Sequence, residues 1–278
     1  MAATFTDEEY AGVLADRAAG HAEAATEEQV AVERVEDVDA GGVPSRHYVP
    51  AGARDALLYL HGGGFVTGDR ISHDGIARRL AARTGWAVLL AEYRLAPEHP
   101  WPAAAEDAAA AADWLTEQGY DRLVVLGDSA GSALAVGEAL RVPDRWAGQV
   151  QVYPFIDPAG TTYDSGMGDV ALSVERCDLF WRMYLQGAEG DPALHVLERG
   201  DLTGQPPALV QLAEIDVLTP TGRRYADALR AAGVPVEVVE LPGVEHGFWR
   251  RTDNHQADPA LTGVTAWLAA LPCTWWNG

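Results

Sequence analysis

Gly127-Asp128-Ser129-Ala130-Gly131 follows directly on the apolar run Leu123-Val124-Val125-Leu126 and precedes an alanine- and leucine-rich stretch from Ser132 to Leu140. The run has the length and β-branched content of a buried strand, and the stretch after it reads as a helix. A chain that passes from strand to helix within a Gly-x-Ser-x-Gly turn holds its serine on a strained bend, with the hydroxyl pushed outward. Side chains two residues to either side would collide with the flanking strand and helix, so glycine stands at both positions. A serine acting only as a helix N-cap would need neither glycine.

The same strand-then-helix unit recurs along the chain. Thr6-Asp7-Glu8-Glu9 has the form of a capping box, and helix is expected over much of residues 7 to 29. Val30 to Val38 and Val43 to Val49 alternate apolar and polar residues around Gly41-Gly42, the pattern of an antiparallel strand pair. Ala56 to Leu60 is a short apolar run ending at His61-Gly62-Gly63-Gly64-Phe65. Residues 72 to 84 read as helix, Trp86 to Ala91 as strand and Pro102 to Gln118 as helix. After the serine turn come a strand at Val150 to Phe155 and then strand, helix and strand at Pro207 to Ala213, Pro220 to Ala232 and Val234 to Leu241. A closing helix is expected at Ala260 to Leu271. Repeated βα units imply an α/β fold with a mostly parallel sheet covered on both faces.

Residues 157 to 206 break that rhythm with glycine and proline clusters around one aromatic amphipathic segment, Val174 to Leu185. An insertion there sits over the C-terminal edge of the sheet, where ligands bind. With the N-terminal helices, about residues 1 to 29, it is expected to form a cap; an ordinary surface excursion is the alternative. The 278 residues, 48% of them hydrophobic, suffice for one large core, and residues 1 to 278 are read as a single domain.

A formal net charge of −21 repels nucleic acid and anionic membrane surfaces, so neither is expected as a partner. Two cysteines, Cys177 and Cys273, are too few and too far apart for a disulfide framework. The first residues have neither a basic nor an apolar region of a signal peptide, and no apolar run is long enough to span a bilayer. The expectation is a soluble cytoplasmic protein. The aromatic tail Trp275-Trp276 would pack on the domain or against a partner.

A serine hydroxyl becomes a useful nucleophile only when a base takes its proton. That base is a histidine, held in one tautomer by a carboxylate. The serine turn resembles the nucleophile elbow of the α/β-hydrolases, a resemblance that implies the chain order Ser, then Asp or Glu, then His. Asp216 follows the strand ending at Ala213. His246 follows the strand ending at Leu241, with a Pro-Gly turn between. Three loops at one sheet edge would therefore carry Ser129, Asp216 and His246. Glu214 and Glu245 are the competing acids, and the second stands too close to His246 to partner it. His21, His47, His99 and His195 lack the strand-end placement, while His255 opens the last helical region and competes with His246.

Such chemistry also needs donors aimed at the oxyanion of a tetrahedral intermediate. The three glycines after His61 let the main chain approach a substrate with exposed N–H groups. The expected donors are the N–H groups of Gly63, Gly64 and Ala130, with His61 bracing the loop. The glycine spacing matches neither the phosphate loop nor the dinucleotide fingerprint.

Four motifs in order carry a resemblance: His61-Gly-Gly-Gly-Phe65 with Gly68-Asp69, Tyr93-Arg94-Leu95-Ala96-Pro97-Glu98, Gly127-Asp128-Ser129-Ala130-Gly131, and Glu245-His246-Gly247-Phe248. From about Ala56 to Leu271 the chain resembles the bacterial esterases of the hormone-sensitive-lipase family. The resemblance implies an α/β-hydrolase fold, a helical cap partly built from the N-terminus, hydrolysis of short-chain or small-molecule carboxylic esters, and no cofactor or metal. It also implies pairing of two copies through the last strand and helix, near Val236 to Leu241. One departure stands out: where the family has Asp-Pro-Leu-Arg-Asp at its acid, this chain has Asp216-Val217-Leu218-Thr219-Pro220. A specialised lactonase, deacylase or cyclase on the same scaffold, or a small-molecule receptor without turnover, are the alternatives. Candidate pocket aromatics are Phe65, Trp101, Phe180, Trp181, Tyr184, Phe248 and Trp249, residue types equally suited to core packing.

Overall fold

In the computed structural model the strand before Ser129, Leu123–Asp128 (β5), lies near the middle of an eight-stranded sheet and is buried along its whole length. The structure describes residues 5–27, 29–167, 170–199, 201–251 and 254–272; Cys273 and the Trp275-Trp276 tail lie outside them. The other strands are Arg34–Asp39 (β1), Pro44–Val49 (β2), Ala56–Leu60 (β3), Ala87–Ala91 (β4), Gly148–Val152 (β6), Ala208–Ile215 (β7) and Val236–Glu245 (β8). Their order across the sheet is β1-β2-β4-β3-β5-β6-β7-β8. β1 and β2, and β2 and β4, pair antiparallel; every other pairing is parallel.

Successive residues of the central strands face opposite sides. Leu58, Leu60, Leu89 and Val125 join one apolar cluster, while Leu57, Tyr59, Val88, Val124 and Leu126 join another. This period-two alternation with both faces apolar is what a sheet sandwiched between helices requires. Helices Ala103–Glu117 (α3) and Ala130–Arg141 (α4) cover the first face, and Asp74–Thr84 (α2) and Ala257–Ala270 (α7) cover the second. Thr219–Ala231 (α6) joins α4 through Tyr225, Leu229 and Val136.

The strand order places the site. β3 lies between β4, which follows it in the chain, and β5, which comes later. The chain therefore leaves β3 toward one edge and later resumes toward the other, which makes the boundary between β3 and β5 a topological switch point. Such a switch point is where open α/β sheets bind ligands. The glycine loop leaves β3 there and the serine turn leaves β5.

The first helix, Asp7–Ala24 (α1), starts with the expected capping box: Thr6 Oγ1 accepts the Glu9 N–H and Glu9 Oε2 accepts the Thr6 N–H. It buries only Val13. Polar side chains secure it instead. Arg17 donates to the Val66 and Ala96 carbonyls and pairs with Glu98, His21 pairs with Asp69, and Asp16 and Glu9 pair with Arg176 and Arg182. The two arginines belong to Val174–Leu185 (α5), a helix with the bounds of the aromatic amphipathic segment.

Two strand expectations are corrected. β6 stops at Val152 rather than Phe155, because Tyr153 takes a positive φ of 37° and Pro154 follows without an N–H for the ladder. β8 does not end in a turn at Pro242-Gly243. It runs through them to Glu245 over an irregularity opposite Ala213 to Ile215, where the Gly243 N–H donates to Glu214 Oε2 at 2.7 Å.

Candidate active site

Ser129 sits at φ 52°, ψ −120°, a left-handed conformation rare for any residue but glycine. The surrounding main chain holds it there. Its N–H donates to the Val152 carbonyl at 2.9 Å, and its carbonyl accepts from the Phe155 N–H at 3.1 Å and the Ser132 N–H at 3.0 Å. The flanking glycines are close approaches: a Cβ on Gly127 would lie 2.3 Å from the Gly131 carbonyl oxygen, and one on Gly131 1.9 Å from that of Leu60. Strain at this one residue is maintained by contacts on both sides.

His246 stands between Ser129 and Asp216. The serine hydroxyl donates to His246 Nε2 at 2.9 Å, and His246 Nδ1–H donates to Asp216 Oδ2 at 2.7 Å. The Asp216 side chain is fully buried, and that of His246 is 13% exposed. Asp216 Oδ1 accepts the Leu218 N–H at 3.0 Å, leaving its other oxygen for the imidazole. The arginine and second aspartate of the related motif are absent, yet the acid loop is tied another way. The Thr219 hydroxyl donates to the Ala213 carbonyl and the Thr219 N–H to the Asp216 carbonyl. Glu214 and Glu245 are exposed. Among the competing histidines, His21 pairs with Asp69, His47 bonds the Tyr120 hydroxyl, and His195 bonds the Glu189 carbonyl.

The glycine loop turns its carbonyls backward. His61 Nδ1–H donates to the Gly62 carbonyl at 2.8 Å. The Gly63 carbonyl accepts from Val66 N–H, Thr67 N–H and the Thr67 hydroxyl at 2.9 to 3.1 Å. In a trans peptide the N–H points opposite to the carbonyl, so the N–H groups of Gly63 and Gly64 face away from these anchors. Neither finds an acceptor among the described residues. The Ser129 carbonyl is anchored in the same way, which turns the Ala130 N–H outward.

His61 is a brace. It is fully buried, stacked on Tyr93 with centroids 4.2 Å apart, and its own carbonyl accepts the Tyr93 hydroxyl at 2.6 Å. Burial pushes its pKa down, keeping the ring neutral. Asp128, inside the serine pentapeptide, joins the two loops. Its Oδ1 accepts the Gly62 N–H at 2.8 Å and the Tyr59 hydroxyl at 2.9 Å, and its Oδ2 the Tyr153 hydroxyl at 3.2 Å. Its place inside the pentapeptide is the one signal the sequence carries for this role; nothing local marks Tyr59 or Tyr153 as its partners.

The pocket aromatics divide between the two faces. Phe65 stacks on Tyr184 at 3.9 Å and contacts Trp181, which packs on Phe155; Trp101 meets Tyr184 edge-on. Phe180 lies against Gly64, and a Cβ there would come within 2.3 Å of its ring. Phe248 and Trp249 do not join them. They are core residues of the opposite face, beside Tyr59, Tyr153 and α7.

A sheet of this order, with a serine, a histidine and a carboxylate in one line beside a glycine loop, defines a class. Residues 57–250 match the family model described as the alpha/beta hydrolase fold, and the chain belongs to that family. Within it, the chain is one of the esterases of the bacterial hormone-sensitive-lipase family. It is 38% identical to the carboxylic ester hydrolase LipN of Mycobacterium tuberculosis over 75% of this chain and 61% of that protein. It is 37% identical to the esterase LipI of the same organism over 76% of this chain and 72% of that protein. Among solved structures, an esterase from the bacterial hormone-sensitive lipase family superposes with a TM-score of 0.85 at 28% identity, covering 96% of this chain and 99% of the other.

Proposed function

We propose that the chain hydrolyses small-molecule carboxylic esters through an acyl-enzyme formed on Ser129. His246 Nε2 takes the hydroxyl proton as Ser129 Oγ attacks the ester carbonyl carbon. The carbonyl oxygen becomes an oxyanion held by the N–H groups of Gly63, Gly64 and Ala130. As the intermediate collapses, the bond to the alkoxy oxygen breaks and the proton on His246 passes to the departing alcohol. Water then attacks the acyl-enzyme with His246 again as base, which releases the carboxylic acid and restores the serine. Asp216 orients the imidazole and offsets its transient positive charge without taking the proton.

One observation carries this reading: the unbroken line from Ser129 Oγ through His246 to a fully buried Asp216 at 2.9 and 2.7 Å. The test is Ser129→Ala with p-nitrophenyl butyrate. Loss of turnover, together with loss of labelling by a fluorophosphonate, is expected; full activity in the variant overturns the assignment. A receptor without turnover would leave the wild-type serine unlabelled. A lactonase, deacylase or cyclase would be labelled but would turn over the simple ester poorly.

Three further elements belong to the same reading. α1 and residues 157 to 206 act as a cap on the single α/β unit, supported by the ion pairs that join α1 to α5 and to the loops after β3 and β4. Two copies pair along β8, which lies at one end of the sheet order; a monomeric mass by light scattering would contradict that. A reducing, cytoplasmic setting is supported by Cys177, free and fully buried.

A further inference from the structure

β6 ends between the serine turn and the acid loop. Its last carbonyl, that of Val152, accepts the Ser129 N–H at 2.9 Å, and the next N–H, that of Tyr153, donates to the Gln211 carbonyl of β7 at 2.7 Å. Two residues on, the Phe155 N–H returns to the Ser129 carbonyl. The chain bends at Tyr153, which takes a φ of 37°. A bulky side chain is strained in that region, where glycine would sit freely. Strain of this kind gathers at functional sites, held by the contacts around it.

The strained side chain lies against the base. The rings of Tyr153 and His246 have centroids 4.5 Å apart at an angle of 53°. Phe248 meets Tyr153 edge-on at 5.3 Å, and the tyrosine hydroxyl donates to Asp128 Oδ2 at 3.2 Å. The side chain is fully buried, so these contacts leave the ring little freedom to turn. Burial and the neighbouring Asp128 charge push its pKa well up, and the ring stays a neutral phenol. The face of such a ring is negative, and it attracts a cation within about 6 Å of its centroid. Both nitrogens of His246 are committed, one to Ser129 and one to Asp216, which leaves the body of the imidazole for the contact with Tyr153.

We propose that Tyr153 is a positioning residue of the reaction: its π system stabilises the positive charge that His246 carries between the two proton transfers, and its hydroxyl links that ring to Asp128, the anchor of the glycine loop. The proposal rests on the esterase reading and adds a residue that holds its base. Tyr153 acts through the imidazole; it takes no proton and forms no bond. Asp128 on the serine turn, Arg250 after β8 and Asp216 on the acid loop are the charged groups that also act at Tyr153, and the test alters none of them.

The test replaces Tyr153 with Phe and then, by amber-codon incorporation, with 4-fluoro-, 3,5-difluoro- and 3,4,5-trifluorophenylalanine. Shape hardly changes along this series, while the ring faces lose negative charge. Each enzyme is assayed with p-nitrophenyl butyrate across the acid limb of the kcat/KM profile. Tyr153→Phe keeps the face and loses only a long hydrogen bond, so its kcat is expected to stay within about threefold of wild type. From Phe to the trifluoro ring, the midpoint of the acid limb is expected to move down by about 0.5 unit or more, because the protonated imidazole becomes less favourable. Over the same series kcat is expected to fall stepwise, by about threefold or more in total. An unchanged midpoint and kcat along the series overturns the proposal and leaves the ring as packing, which responds to size and not to fluorine count. A folded Tyr153→Phe without activity also overturns it, since the hydroxyl would then carry the whole effect. Should Tyr153→Phe fail to fold, 3-fluoro- and 3,5-difluorotyrosine make the same comparison with the hydroxyl kept. A wild type that neither hydrolyses esters nor reacts with a fluorophosphonate overturns the esterase reading itself, whereas wild-type turnover that is invariant along the series overturns the role of Tyr153 alone.

Discussion

The carboxylate of Asp128 accepts the N–H of Gly62 at 2.8 Å, joining the residue before the nucleophile to the residue before the oxyanion glycines. One buried side chain thereby sets the distance between the serine turn and the glycine loop. Tyr59 of the neighbouring β3 and Tyr153, just past the end of the neighbouring β6, complete its shell.

Asp128→Ala is therefore expected to lower kcat/KM at least tenfold and stability by about 1–3 kcal/mol, because three donors lose their acceptor in the core. Asp128→Asn keeps an acceptor for Gly62 and should lose less of both. Steady-state kinetics and urea denaturation check the order; an Ala variant as active as wild type would mean that the loop holds itself.

Asp216→Asn keeps the shape of the acid but removes the charge facing His246 Nδ1. The amide also favours the wrong imidazole tautomer. A fall in kcat of about 10³–10⁴ is expected. Stopped-flow acylation with p-nitrophenyl acetate would locate the loss in the chemical step.

Gly64 has φ 62° and lies against the ring of Phe180. In Gly64→Ala the new methyl must displace either the ring or the loop. Displacing the loop misdirects an oxyanion donor, at a cost of about 10²–10³ in rate. The double variant with Phe180→Ala should recover part of that loss by opening space for the methyl. No recovery would show that the backbone conformation alone is responsible.

Stability should fall with acid in a window set by buried histidines. Burial, with help from the Arg34 charge and against the pull of Glu36, pushes the pKa of His47 from 6.5 down to about 4. Between those values the unfolded chain binds a proton that the folded protein refuses. The contribution is thus intact above pH 6.5 and is lost as pH falls toward 4, at a slope of up to about 1.4 kcal/mol per pH unit. His61 and His73 are shifted in the same direction and add to the slope. Urea denaturation at pH 7, 6 and 5 should show His47→Gln, which keeps a partner for the Tyr120 hydroxyl, with a shallower slope by about one proton. An identical slope would mean that His47 is charged in the folded state.

Much of the element order was legible because it is local. The apolar runs ending at Leu60 and Leu126 needed only their own residues to read as buried strands, and Thr6 with Glu9 marked the start of α1. What failed was also local in appearance. Pro242-Gly243 has the chemistry of a turn, but pairing with β7 and the bond to Glu214 carry the strand through it. Phe248 and Trp249 follow His246 and looked like pocket residues. Which face of the sheet they meet depends on β8, whose position no nearby residue specifies.

The sequence by itself determined that Ser129 sits on a strained bend, that Asp216 and His246 follow strands, and that a glycine loop precedes them, since glycine, proline and periodicity act on their immediate neighbours. Only the tertiary structure decided that residues 117 apart meet at 2.9 Å and that Asp128 ties two loops together. The physical reason is the strand order. Placing β3 beside β5 brings Gly62 to Asp128, and laying β7 and β8 on the other side of β5 brings Asp216 and His246 to Ser129; both are long-range choices of sheet pairing.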